Sequence, residues 1–182
     1  MIKFLDHYVN STLDAQEWTG SGATRNVNLH YGLFSVVDVQ DSDTDFRSDQ
    51  IHMILEARIR ISTGTSFGFD FGAQDAGVTR RAVFAVHATA DHVSTITVGS
   101  GGTGTQDAGV VGGGGGDAWH IYRVDLTNPA SVVFSIDGTV VTTHTTRVPT
   151  GADIHLHAAY TSTDTLVDYL AGWASINPLS TA

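Results

Sequence analysis

The 182-residue chain has no cysteine, one lysine (Lys3), two glutamates (Glu17 and Glu56) and three prolines. Each scarcity excludes something. Without cysteine there is no disulfide framework and no thiolate chemistry. Nine basic residues face nineteen acids, a net charge of −10. The arginines are scattered as Arg25, Arg47, Arg58, Arg60, Arg80, Arg81, Arg123 and Arg147. Phosphate backbones need clustered cations, so no nucleic-acid partner is expected. No apolar run is long enough to cross a membrane, and no membrane partner is expected. The opening MIKFLDHYVNSTLDAQEW does not read as a secretory signal, so synthesis in the cytoplasm is expected.

What is present is strand signal. A chain of this length reads as one domain, 1–182, able to bury roughly two-thirds of its unfolded surface. In IHMILEARIRIS, residues Ile51, Met53, Leu55, Ala57, Ile59 and Ile61 alternate with polar neighbours that include Glu56, Arg58 and Arg60. SFGFDFG places Phe67, Phe69 and Phe71 on one face, with Gly68 and Asp70 on the other. RRAVFAVHATA is apolar on both faces, as a central strand would be. HVSTITVGS follows a tight turn at Ala90-Asp91. HIYRVDL, SVVFSID and TVVTTHTT form a meander through Thr127–Ala130 and Asp137-Gly138, the latter a strong hairpin signal. ADIHLHAAYTS and TLVDYLAGWASI complete the series. Short strands with glycine-rich turns predict an all-β, two-sheet antiparallel sandwich. Residues 1–30 read as an N-terminal docking arm and 177–182 as a C-terminal tail. The glycine-rich 99–116 stretch reads as a surface loop, part strand near Val110-Val111. It is no phosphate loop, because no Lys-Ser/Thr follows it.

Several of these segments resemble the concanavalin A-like lectin/glucanase superfamily, in its LamG-like and laminarinase-like jelly rolls. Trp119–Val124 matches its W-H-x-(Y/L)-R-(I/V) strand, Phe134–Gly138 its F-x-(I/V)-D-G strand, and Val167–Leu170 its V-D-Y-(V/L) strand. ILEARIRI is similar to its (V/F)-E-A-R-(I/V)-(R/K) strand, and the likeness covers most of residues 30–176. The resemblance implies a concanavalin A-like jelly roll. Members that hydrolyse glucans carry a Glu-x-Asp-x-x-Glu strand, whose carboxylates stand about 5 Å apart for a retaining mechanism. The strand that should carry it, RRAVFAVHATADHV, has no acid before Asp91. Glu56 and Asp70 are an acid pair conceivable on neighbouring strands. No catalytic residue is assigned.

The resemblance also implies a structural calcium ion, held by the last-strand acid Asp168 and by a group near the N-terminus, here Asp6. The acid-dense loop with Asp38, Asp41, Asp43, Asp45 and Asp49 lacks the glycine and closing glutamate of an EF-hand and reads as a solvated loop. His155 and His157 share a strand face. As metal ligands they need a third donor from among His87, His92, His120 and His144, so a polar sheet face is the simpler reading. Trp18, Tyr31 and Tyr160 are candidate glycan contacts, and Trp173 reads as core.

These features together predict a non-enzymatic virion structural protein: a capsid decoration protein, head fibre or minor capsid protein of a tailed bacteriophage. Lectin-like jelly rolls resembling this one recur in such roles. The expected partners are capsid or other virion proteins, further copies of the chain (a trimer) and cell-surface glycans, with localisation to the virion. Two alternatives stay open. One is a lectin-like carbohydrate-binding module. The other is a glycan-cleaving enzyme, which the missing acid strand disfavours.

Overall fold

The alternation in Ile51–Ile61 becomes the long central strand of one sheet, and the doubly apolar Arg81–Val86 becomes an interior strand of a second. The computed structural model describes residues 2–6, 18–19, 24–25, 34–35, 38–41, 46–47, 51–61, 69–75, 79–86, 92–99, 105–112, 118–150, 153–160 and 165–176. Side chains are described for 52–60, 70–75, 79–85, 93–99, 118–150, 154, 157, 158 and 167–173. Among the described residues every regular element is a strand. In chain order these are β1 (Ile2–Asp6), β2 (Trp18–Thr19), β3 (Thr24–Arg25), β4 (Phe34–Ser35), β5 (Asp38–Asp41), β6 (Phe46–Arg47), β7 (Ile51–Ile61) and β8 (Phe69–Gln74). They continue as β9 (Arg81–Val86), β10 (His92–Val98), β11 (Thr105–Gly112), β12 (Trp119–Asn128), β13 (Ser131–Ile136), β14 (Thr139–His144), β15 (Asp153–Tyr160) and β16 (Thr165–Ile176).

The first sheet runs β14-β13-β12-β7-β16-β4-β3, with β1 also on β16. The second runs β11-β10-β9-β8-β15-β5-β2, with β6 on β15. All pairings are antiparallel. The stretch expected as a docking arm contributes backbone to both layers: Ile2 stands opposite Ala174, Trp18 opposite Asp41 and Arg25 opposite Phe34.

The core lies between the sheets. Met53, Leu55, Ala57 and Ile59 of β7 meet Phe71 and Ala73 of β8, Phe84 of β9 and Tyr122 and Val124 of β12, all buried. Phe84 stands edge-on to Tyr122 and Phe134, with ring centroids 5.2 and 5.1 Å apart, so aromatic contacts join the layers at their centre. Burial pushes the Tyr122 phenol well above its ordinary range, helped by the nearby Asp137 charge.

His144 is fully buried in this inter-sheet layer. Its Nδ1 lies 2.8 Å from the Thr97 hydroxyl and its Nε2 3.0 Å from the Thr95 hydroxyl. Thr97 donates its proton to the Thr146 carbonyl at 3.3 Å. A hydroxyl donates once, so Nδ1 donates to Thr97. The ring ties β14 to β10.

The turns are built by aspartates. Asp137 and Gly138 both have positive φ, 51° and 79°, as the hairpin signal requires. The Asp137 carboxylate accepts from His120 Nδ1 at 2.6 Å and from the Ile121 amide at 2.9 Å. Partial burial alone would raise its pKa. The His120 and Ile121 hydrogen bonds and the His120 charge outweigh that and hold it below the usual carboxylate range. Between β8 and β9, Asp75 accepts from the Thr79 amide, the Thr79 hydroxyl and the Arg80 amide at 2.7, 2.6 and 3.0 Å. This turn fixes the row in which Gln74 faces Arg81.

Candidate functional site

The two outer faces of the sandwich differ in chemistry. On the first sheet, β7 and its neighbours carry a lattice of charges that satisfy one another. Arg58 donates to Asp168 at 2.7 Å and lies 5.1 Å above the Trp119 ring. Tyr169 donates to Glu56 at 2.7 Å. Arg123 stands 3.9 Å from Glu56 and 3.6 Å from Asp125. Burial, then the Glu56 hydrogen bond and charge, push the Tyr169 phenol well above its ordinary range. Tyr169 reaches this face because the β16–β7 register slips between Val167 and Tyr169, so both Asp168 and Tyr169 point away from the core. Trp173, expected in the core, stands half-buried opposite Ile54 on this outer side.

The outer face of the second sheet is different. Phe71 and Ala73 of β8, and Ala82 and Phe84 of β9, face inward. Alternation therefore turns Asp70, Gly72 and Gln74, with Arg81, Val83 and Ala85, outward. On β15, core-facing Ile154 and Ala158 leave His157 at an outward position. Three rows result. In one, His155, Gln74, Arg81 and Val98 stand side by side; in the next, His157, Gly72, Val83 and Ile96; in the third, Ala159, Asp70, Ala85 and Ser94. Val83, Ala85, Ile96 and Val98 form a second apolar cluster, each at most 9% exposed.

Over this patch runs an ion pair. Arg81 and Asp70 approach to 3.5 Å although two row spacings separate them, roughly 13 Å along the strands. An extended arginine must therefore cross the Gly72–Val83 row to reach the carboxylate. Gly72 has φ of +154°, and a Cβ there would lie 2.1 Å from the Ala82 carbonyl oxygen. Only glycine allows β8 and β9 to approach so closely at this point. Asp70 and Arg81 keep 34% and 25% of their side chains exposed, so the pair is reachable from solvent.

The expected site residues divide as follows. Glu56 and Asp70 do not form a pair: they lie on different sheets and on opposite outer faces of the sandwich. Asp168 has one carboxylate oxygen engaged by Arg58, a poor neighbour for a second cation, so the described residues do not fit the calcium ion that the resemblance implied. Asp6 stands opposite Leu170 in β1, with its side chain outside the described residues. Among the described residues no three metal-ligating groups gather. His144 points into the core and His120 holds Asp137, so neither joins His157. Trp18 and Tyr160 are strand residues whose side chains lie outside the described residues, as does Tyr31 altogether. Arg81, Gln74 and Gly72 were not singled out from the sequence. The signal for Arg81 is visible in hindsight: it occupies the alternation position on β9 where the resemblance predicts acids.

No family model matches the chain, and no curated protein does. Solved structures do. A laminarinase from Flavobacterium sp. UMI-01 superposes with a TM-score of 0.67 at 11% identity, over 93% of this chain and 98% of that one. The fold is a concanavalin A-like jelly roll. A GH16 protein of the Bacteroides ovatus mixed-linkage glucan PUL, solved with a product, gives 0.69 at 9% identity over 94% and 99%. The β-glucanase of Bacillus licheniformis gives 0.64 at 12% identity over 93% and 97%. At such identities the likeness establishes the architecture.

These jelly-roll matches overturn the expectation of a non-enzymatic virion structural protein. The matched structures are glucan hydrolases, with a transglycosylase among them, and they span nearly the whole of this chain. The physical reason for the error is plain. Acidity, scarce lysine and glycine-rich strands describe a surface and its turns, and the jelly roll beneath is common to both uses. No strand of the chain can carry that motif, because Glu17 and Glu56 are its only glutamates, but β8 beside β9 carries the carboxylate Asp70.

Proposed function

We propose that the protein is a glycan-processing enzyme working on the outer face of the second sheet, with Asp70 as a carboxylate of the reacting centre. The likeness to glucan hydrolases over 93% or more of the chain is the observation that carries this reading. Glycosidic cleavage passes through an oxocarbenium-like transition state, which a carboxylate stabilises or to which it delivers activated water. On β9 the outward positions Arg81, Val83 and Ala85 offer none. Among the described side chains of this face, Asp70 on the adjacent strand is the carboxylate. Arg81 is its positioning residue, gripping it from across the Gly72 row.

The register supports a second carboxyl. Asp38 of β5 stands opposite Ala159, which stands opposite Asp70. Two strand spacings put the Asp38 and Asp70 backbones roughly 10 Å apart.

The test is incubation of the full chain with laminarin, lichenan and mixed-linkage glucan, following reducing ends and product length together. Shortened or rearranged chains are expected from at least one of them. Unchanged polymers throughout would reject the reading.

A further inference from the structure

We propose that Asp137-Gly138 is a site of covalent modification, where the aspartate closes onto the next amide and reopens as isoaspartate, and that His120 is the residue that holds this reaction off. The pair forms the β13–β14 hairpin turn, with positive φ at both residues. Its surroundings are open: 50% of the Asp137 side chain is exposed, and a side-chain carbon on Gly138 would meet nothing within 4 Å. The chemistry needs water alone. The Gly138 amide nitrogen attacks Asp137 Cγ, a C–N bond forms, and the carboxyl hydroxyl departs with the amide proton as water. The five-membered imide then takes up one water. Addition at the side-chain carbonyl restores aspartate. Addition at the main-chain carbonyl gives isoaspartate, with one extra methylene in the backbone. Glycine favours the attack because no Cβ shields its nitrogen.

The fold opposes this reaction at the carboxylate. His120 Nδ1 donates to one oxygen at 2.6 Å and the Ile121 amide to the other at 2.9 Å, so both oxygens are tied to β12. The Asp137 amide in turn donates to the Ile121 carbonyl at 2.9 Å. Cγ cannot swing over the Gly138 nitrogen without breaking the carboxylate bonds. The same two donors favour the ionised carboxylate, whereas the departing oxygen must carry a proton to leave as water. His120 is the side-chain donor of the two. Its ring is 16% exposed and is seated edge-on against Tyr122, with centroids 6.4 Å apart. Conversion would lengthen a two-residue turn that sets β13 and β14 in register, and so would loosen the strand that carries His144. The inference stands whether or not the chain cleaves glycans.

Ageing the full chain for weeks at body temperature and mildly acid pH tests it, with His120→Leu, His120→Asn and urea-unfolded wild type alongside. Tryptic cleavage at Arg123 and Arg147 releases Val124–Arg147, in which Asp137 is read against Asp125, an aspartate followed by leucine. Electron-transfer fragmentation locates isoaspartate in that peptide. The unfolded wild type should convert fastest, at Asp137 ahead of Asp125, and the folded wild type slowest. His120→Leu keeps the bulk and removes the donor. It should convert about tenfold faster than the wild type, the scale of one lost charge-assisted hydrogen bond, with an unchanged circular-dichroism spectrum. His120→Asn sets an amide N–H where Nδ1 stood and should stay near the wild-type rate. A folded His120→Leu chain that ages as the wild type does, a His120→Asn chain that ages about tenfold faster than the wild type, or a wild type that ages as fast folded as unfolded would each overturn the proposal.

Discussion

Replacing Phe84 with alanine is expected to lower the unfolding free energy by about 4 kcal/mol, within the range for large aromatic truncations in cores. Phe84 is fully buried on β9 and touches Tyr122 and Phe134 of the opposite sheet, edge-on to both. Truncation removes transfer energy, two aromatic contacts and the packing of the inter-sheet layer at its middle. The cavity cannot close by a loop shift, because its walls are central strands bonded on both sides. Neighbouring Phe134 also packs against His144, at 5.1 Å, whose two threonine hydrogen bonds require the ring to stay in place. A domain of this size has only about 5–15 kcal/mol to lose, so the variant should unfold at markedly lower denaturant. Urea titration checks this: a fallen midpoint with an unchanged slope is expected. A loss under about 1 kcal/mol would mean that the two sheets do not meet through this ring.

Replacing Asp70 with asparagine is expected to cut glycan cleavage by about 100-fold or more, the usual scale for removing a proton-transfer or charge-stabilising carboxylate. Asparagine keeps the shape and a hydrogen-bond acceptor for Arg81 and removes only the charge and the basicity. The fold should survive it. The ion pair is partly exposed and long at 3.5 Å, so its loss costs well under about 1 kcal/mol. Glu56→Gln is the matched control, since that carboxylate lies on the opposite outer face, bonded to Tyr169. It should leave cleavage unchanged. Initial rates on the best glucan of the panel compare the three proteins. Equal rates for wild type and Asp70→Asn would remove Asp70 from the chemistry.

Particular residues show how far the sequence could be read. Alternation in Ile51–Ile61 identified the inward face of β7 residue by residue, because period two is imposed by the pleat itself. Asp137-Gly138 was legible because few residue pairs accept two successive positive φ values. What alternation cannot supply is which sheet a strand joins. Glu56 and Asp70 each read correctly as the polar side of a strand, yet non-local pairing put them on opposite outer faces. His144 was one of four histidines offered as a third metal donor beside His155 and His157. Its partners lie 49 and 47 residues away on β10, and no local pattern announces them. The register slip before Tyr169 likewise turned two consecutive residues outward, where strict alternation allows one. Function was the least legible layer. The strand expected to carry acids lacks them, and Asp70, read from the sequence as a partner for Glu56, stands instead beside β9 on the other sheet.

The central claim is that a glycan meets this protein on the outer face of the second sheet. Amide chemical shifts of isotope-labelled Asp70→Asn protein, titrated with the oligosaccharides the wild type releases, test it most directly. Saturable shifts at Gln74, Arg81 and Val83 are predicted, with Arg58, Trp119 and Tyr169 undisturbed. Shifts confined to those last three residues would place the sugar on the other side of the sandwich and contradict the account.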